Sequence, residues 1–378
     1  MRFAVAADHV FDGTSLHQDC AVVIENSCIR AVMRRNEVWS AIPTKSLPPG
    51  AWLAPGFIDS QVNGGGDVLF NDDPSPRGIT AIAAAHRRFG TTALLPTLLS
   101  DTAEKMRLAR AAVEAGRDPS VMGIHYEGPF LSRDQPGVHD PGMLRCPGPG
   151  DAELLAPLRN GVTLVTLAAE EVPEGFVVRL VGAGVRVSLG HSMATYAQTR
   201  AALAEGLTGF THLFNAMRPL ASREPGPIAA ALEEPTAHFG MIVDGEHVAP
   251  AMLRLALRGA GRAMLVTDAM PPVGGRCTSF PLCGQDINVQ GGRCLTADGR
   301  LAGSVLDMAS AVRNCVRLLG MPLAQALALA SASPAAFLGV GDRIGRLAPG
   351  YRADMVALDP DTVDVFATWV AGKPSATA

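Results

Sequence analysis

In this 378-residue chain, groups able to bind a cation or move a proton recur at the ends of apolar runs. Glu127 closes "GIHYE", His191 closes "VRVSLGH", and His212 sits late in "GFTHLFN". Asp244 and His247 follow "FGMIV", and Asp268 closes "AMLVTD". Taken singly, each has a plain reading: a strand-end carboxylate caps a helix, and a strand-end histidine hydrogen-bonds locally. Repeated at the same end of successive strands, they converge on one pocket. Two imidazoles and one carboxylate from three strands form a zinc-type set that leaves a fourth position for water. An ion held that way acidifies water and polarises a carbonyl. Asp268 is then an unpaired carboxylate placed to act as general base and to pass the proton to a leaving nitrogen. No cysteine stands at a strand end in this set, so sulfur ligands are not expected.

The stretch "APGFIDSQVNGGGD", from Ala54 to Asp67, begins as a buried strand and turns polar at Asp59, Gln61 and Asn63. Strand alternation points these three side chains the same way. Metal-dependent barrels commonly carry His-x-His at this point; here Gln61 and Asn63 replace it. Amides are poor ligands for a borderline-soft ion. The expectation is one metal, with the amides bonding water or substrate and the glycines letting substrate approach the backbone. The three lysines, at 45, 105 and 373, lie away from strand ends, which excludes a lysine-bridged pair of ions.

Positioning these groups requires a scaffold. From about 52 to 341 strand-like runs ("TTALLPTLL", "VTLVTLAA", "VRVSLGH") alternate with helical ones ("DTAEKMRLARAAVEAG", "SMATYAQTRAALAEG"). In the latter, Thr195 precedes Gln198 by three residues, a capping-box spacing. Such alternation means a parallel sheet with helical crossovers. About eight strands predict an α/β fold, a (β/α)8 TIM-type barrel whose catalytic groups sit at the C-terminal strand ends. An open doubly wound sheet is the rival, weakened by the absence of G-x-G-x-x-G after the first strand. Residues 1–51 and 342–378 read as short strands and turns, the two parts of a small β-sandwich domain flanking a barrel over 52–341.

Composition sets further bounds. The chain is 48% hydrophobic and 18% charged, with a net charge of −4. That charge argues against a nucleic-acid or anionic-membrane partner. Seven scattered cysteines without a C-x-x-C pair read as reduced thiols, and the N-terminus is too short in apolar run for a signal peptide or membrane span, so a cytoplasmic location is expected.

"PGFIDSQVNGGG", "HYEGPFLS", "LGHS", "THLFNAM", "REPG", "VDGEHV", "LVTDAM" and "LAGS", in that order from about residue 54 to 306, resemble the N-acetylglucosamine-6-phosphate deacetylase family of the amidohydrolase superfamily. The resemblance implies Glu127, His191 and His212 as metal ligands and Asp268 as catalytic acid/base. It implies that His139 polarises the substrate carbonyl with Val138 beside it, and that Asn215 and Ala216 contact the sugar phosphate. Arg223 and His247 correspond to phosphate-binding groups, with Asp244 in the same motif. Leu301, Ala302 and Gly303 correspond to a backbone contact at a helix start. Gln61 and Asn63 correspond to the single-metal branch. The implied reaction frees acetate from a phosphorylated amino sugar in amino-sugar catabolism, using one divalent ion per subunit (zinc, or iron, manganese or cobalt) in a homodimer. Deacetylation of the galactosamine epimer, other amidohydrolase chemistry on cyclic amides or amines, and a non-catalytic barrel are the rival functions.

Overall fold

The structure is a computed structural model that describes residues 2–375. Eight parallel strands form one sheet in chain order: β1 (Phe57–Val62), β2 (Thr91–Leu99), β3 (Gly123–Glu127), β4 (Val162–Leu167), β5 (Arg186–Leu189), β6 (Gly209–Phe210), β7 (His238–Met241) and β8 (Arg262–Leu265). The ring closes just beyond the last strand, where Val62 bridges Ala269 and the Asp268 N–H donates to the Gln61 carbonyl at 3.0 Å. β2 is buried at every position, as a strand covered on both faces must be.

Helices return the chain between strands. The helix Ala103–Ala115 begins where the Thr102 hydroxyl accepts from the Lys105 N–H. Tyr196–Ala204 begins with the expected capping box, Thr195 and Gln198 each accepting from the other's backbone N–H. Met308–Leu319 starts at Asp307, whose carboxylate accepts from the Ser310 N–H, and buries Met308, Val312, Cys315 and Leu319. Burying each large side chain contributes roughly 1.5–3 kcal/mol.

Strands from both ends of the chain meet in a second eight-stranded sheet. The strand Met355–Leu358 pairs antiparallel with Trp52–Pro55, which in turn pairs with Arg2–Phe11. Trp52–Pro55 therefore belongs to this sheet although it lies past residue 51. Its alternating side chains feed a separate apolar cluster that includes Leu53, Met355 and Trp369.

Two features were not anticipated. Residues 279–304 form a four-stranded antiparallel meander, β9 (Ser279–Leu282), β10 (Gln285–Gln290), β11 (Arg293–Leu295) and β12 (Leu301–Ser304). Leu301–Gly303 accordingly lie in a strand; the next helix begins only at Met308. "DAELLAPLRN" forms a single helical turn, Asp151–Leu154, because Pro157 and the turn at Gly161 leave it no room to propagate.

Candidate active site

The barrel brings the strand-end groups together. Glu127 is the last residue of β3, His191 lies two residues past β5, His212 two past β6 and Asp268 three past β8. Glu127, His191, His212, His139, Asn215, Ala216, His247 and Asp268 all line one cavity of about 180 Å³. His191, His212 and Asp268 adopt φ of 48°, 32° and 53°. That left-handed backbone costs a non-glycine residue about 1–3 kcal/mol and recurs where a site must aim a side chain.

Three donor atoms converge. His212 Nε2 stands 3.0 Å from Glu127 Oε1 and 3.1 Å from His191 Nε2, and His191 Nε2 stands 3.3 Å from the same oxygen. His191 Nδ1 donates to the Gln135 carbonyl at 2.9 Å, so in the neutral imidazole its Nε2 carries the lone pair. Lone pairs from His191 and Glu127 aimed at one spot repel unless a cation stands there. Ligands about 2.0–2.1 Å from a tetrahedral ion lie about 3.3 Å from one another, close to the spacing here. The residues therefore fit a single divalent ion.

His139 also comes within 4.8 Å of Glu127 and His191 in ligand-type atoms, yet its bonding argues against ligation. The backbone N–H of Ser100 can only donate, and it points at His139 Nδ1 at 3.2 Å, with the Ser100 hydroxyl at 2.9 Å. The proton therefore sits on Nε2, which becomes a hydrogen-bond donor toward the cavity. Burial, then the neighbouring His191, pushes the imidazole down to about 3, keeping it neutral. Ser100 escaped the sequence reading because nothing in "PTLLSD" marks it; its role exists only across 39 residues of separation. Gly128, at φ +94°, leaves it space, since a Cβ there would stand 2.1 Å from the Ser100 oxygen.

The two amides of the opening stretch bond the carboxylates of the site. Gln61 Nε2 donates to Asp268 Oδ1 at 3.0 Å and to the Glu127 carboxylate at 3.2 and 3.3 Å. Asn63 Nδ2 donates to Asp268 Oδ1 at 2.6 Å. Both are buried, and each gives a donor to these carboxylates. Two buried carboxylates need compensating donors, and the amides supply them where a second cation would otherwise be required. Asp59, facing the same way, accepts from the Thr267 hydroxyl at 2.5 Å and from the backbone N–H groups of Gln61 and Thr267. The glycine run is packed rather than open: Gly65 abuts the His86 ring, whose Nε2 donates to the Gly64 carbonyl.

Burial first, then the negative Glu127, pushes Asp268 up to about 6. Burial alone would raise Glu127 too, but the imidazoles of His191 and His212 hold its carboxyl well below the usual range. His125 is clamped between the hydroxyls of Thr97 and Thr166, and burial lowers it to about 4, a structural histidine.

Asn215, Ala216 and His247 also line the cavity. Asp244 is an anchor: its carboxylate accepts from His247 Nδ1 at 2.6 Å, leaving Nε2 uncommitted. Leu301 and Gly303 line the wall, joined by Val138. Ala302 is fully buried behind them. Arg223 is not among the residues that line the cavity. It is exposed, on a loop flanked by Arg218, which donates to the Met193 carbonyl, and Glu224, which accepts from the Tyr196 N–H. Among the described residues no lysine or arginine lines the cavity.

Comparison with known proteins agrees with this geometry. The amidohydrolase family model matches residues 52–377. The N-acetylgalactosamine-6-phosphate deacetylase of Shewanella sp. (strain ANA-3) is 41% identical over 95% of this chain and 92% of its own. The N-acetylglucosamine-6-phosphate deacetylase of Haemophilus influenzae is 33% identical over 99% of both. The crystal structure of N-acetylglucosamine-6-phosphate deacetylase from Pasteurella multocida superposes with a TM-score of 0.96 at 32% identity, covering 100% of each chain. A mutant of the Mycobacterium smegmatis enzyme, solved in complex with N-acetyl-D-glucosamine 6-phosphate, superposes at 0.90 with 36% identity over 99% of each. The donor triangle, the buried aspartate and these likenesses lead to one assignment: the chain belongs to the amidohydrolase family and, within it, to the amino-sugar 6-phosphate deacetylases.

Proposed function

We propose that the protein hydrolyses the acetamide of N-acetyl-D-glucosamine 6-phosphate, giving acetate and D-glucosamine 6-phosphate. The observation that carries this reading is the set of Glu127, His191 and His212 donor atoms within 3.3 Å of one another, beside a buried aspartate with one unengaged oxygen. Glu127, His191 and His212 hold one divalent ion, which when bound lowers the pKa of water and polarises a carbonyl. Zinc matches this ligand set best; iron, manganese and cobalt share the preference for it.

The chain's own residues do the rest. With Asp268 Oδ1 held by Gln61 and Asn63, Oδ2 takes a proton from the attacking water as its oxygen bonds to the amide carbon. His139 Nε2–H donates to the carbonyl oxygen as negative charge grows there, worth on the order of 3 kcal/mol for a donor of this kind. Asp268 then delivers the proton to the departing nitrogen, and the C–N bond breaks to acetate and amine. Asn215, Ala216 and His247 receive the sugar phosphate. Among the described residues the cavity lining lacks a lysine or arginine, so a homodimer whose partner contributes a cation completes the phosphate site. Seven unpaired cysteines and the absence, among the described residues, of a helix long and apolar enough to cross a membrane accord with a cytoplasmic enzyme.

The deciding assay measures acetate release from N-acetylglucosamine 6-phosphate, N-acetylgalactosamine 6-phosphate and their unphosphorylated forms, with and without chelator. Release from the phosphorylated sugars, lost on chelation and restored by a divalent ion, is expected. Equal turnover of the unphosphorylated sugars would overturn the assignment. The Shewanella likeness favours a second reading, the galactosamine epimer as preferred substrate; the ratio of kcat/KM for the two phosphates decides between them.

A further inference from the structure

β2 outruns its neighbour β1. Their last pairing is Val62 with Pro96, yet β2 runs on to Leu99, which pairs on its other side with Glu127 of β3. β1 stops there because Asn63 and Gly64 turn to the Ala269 carbonyl, each N–H donating at 2.9 Å. The edge of β2 facing β1 therefore has no strand to bond at Leu99, and a buried peptide group without a partner is costly.

The side chain of Asn71 stands in for the missing strand. Its Oδ1 accepts from the Leu99 N–H at 2.9 Å, and its Nδ2 donates to the Leu99 carbonyl and to Asp101 Oδ2, both at 3.1 Å. The Leu99 N–H can only donate and the carbonyl only accept, which fixes the orientation of the amide. Asn71 is 6% exposed and is not among the residues lining the catalytic cavity. It grips the residue on each side of Ser100, and Ser100 presents its N–H and hydroxyl to His139 Nδ1. Asn71 is itself held in place. It follows the hairpin of Gly64–Gly65 with Val68–Leu69, and the adjacent Phe70 N–H donates to the Asn63 carbonyl at 2.8 Å.

We propose that Asn71 is a positioning residue: by holding Leu99 and Asp101 it fixes Ser100, and through Ser100 it keeps the His139 ring in its Nε2–H form and aimed at the substrate carbonyl. The inference rests on the role given to His139 above and extends it to a residue outside the cavity.

The test is a double-mutant cycle on acetate release from N-acetylglucosamine 6-phosphate by the zinc-loaded protein: wild type, Asn71→Ala, His139→Ala and the pair. Small misplacement of a reacting group costs up to about a hundredfold, and a donor used only in the transition state acts on kcat. Asn71→Ala should therefore lower kcat by about ten- to a hundredfold, with KM little changed and zinc content, by elemental analysis, at the wild-type level. In the His139→Ala background the same change should lower kcat by less than about twofold, since no ring is left to aim. A merely structural role would lower kcat alike in both backgrounds, and equal falls overturn the proposal. So does an Asn71→Ala variant that is as fast as wild type or depleted of zinc. Should Asn71→Ala not fold, Asn71→Ser enters the same cycle. His139→Ala at wild-type speed would overturn the role given to His139, and no acetate from wild type would overturn the deacetylase reading; either takes this proposal with it.

Discussion

Asp268 shows how two neutral amides can set up a base. Its Oδ1 accepts from both Gln61 and Asn63, which orients the carboxylate and, in the proposed mechanism, leaves the other oxygen for proton transfer. Asp268→Asn keeps the volume but cannot accept a proton. It is expected to lower kcat by about 10²–10⁴-fold while metal content by elemental analysis stays at wild-type level; loss of the metal would make Asp268 a ligand. In the proposed mechanism Asp268 acts deprotonated, and burial pushes it up to about 6, so activity should fall as pH drops through that region. A nearby bound cation pulls the limb lower, so the informative quantity is the shift between variants. Asn63→Leu removes a bond to the charged form and should move the acidic limb of the kcat profile to higher pH. An unmoved limb would separate Asn63 from the base. At this scale Glu127, His191, His212 and Asp268 were legible from their places at strand ends. The work of Gln61 and Asn63 was not: residue type excluded them as good ligands but could not show that carboxylates more than 60 residues away, Glu127 and Asp268, would claim their donors.

Elements aim these groups. The turns after β5, β6 and β8 place His191, His212 and Asp268 at positive φ, a conformation held only because the ladder before and the helix after are firmly set. The helix after His191 is set by its capping box. Thr195→Ala should cost about 1 kcal/mol, seen as a lower urea midpoint with kcat unaffected. Where β8 meets β1, Asp59 ties Thr267 to Gln61, and burial raises its carboxyl to about 7. A group whose folded pKa exceeds its unfolded value contributes stability below the unfolded value and loses it as pH rises through the folded one. Asp59 should therefore destabilise progressively from about pH 4 to 7, and Asp59→Asn should flatten that part of the stability curve. Urea unfolding of the metal-free protein at pH 5 and 8 checks it; parallel curves for variant and wild type would count against the buried charge.

At the scale of the molecule, the terminal sheet and the barrel are one folding problem, since Met355–Leu358 pairs with the strand that leads into β1. Trp369, 1% exposed in the terminal cluster, should cost about 3–5 kcal/mol when changed to alanine, measured by chemical denaturation. The sequence by itself determined the alternation that makes a barrel, the helix cap that Thr195 provides, and the strand ends that carry the polar residues. These are local properties, governed by side-chain period and by hydrogen bonds spanning three residues. The meander at 279–304 stayed hidden because its strands are short and half exposed, so their alternation is weak. Only the tertiary structure decided that Glu127, His191 and His212 bring their donor atoms to one point, and that His139 presents N–H rather than a lone pair. Each of those depends on which atoms meet across dozens to hundreds of residues, and the closing of the sheet on itself is what makes them meet.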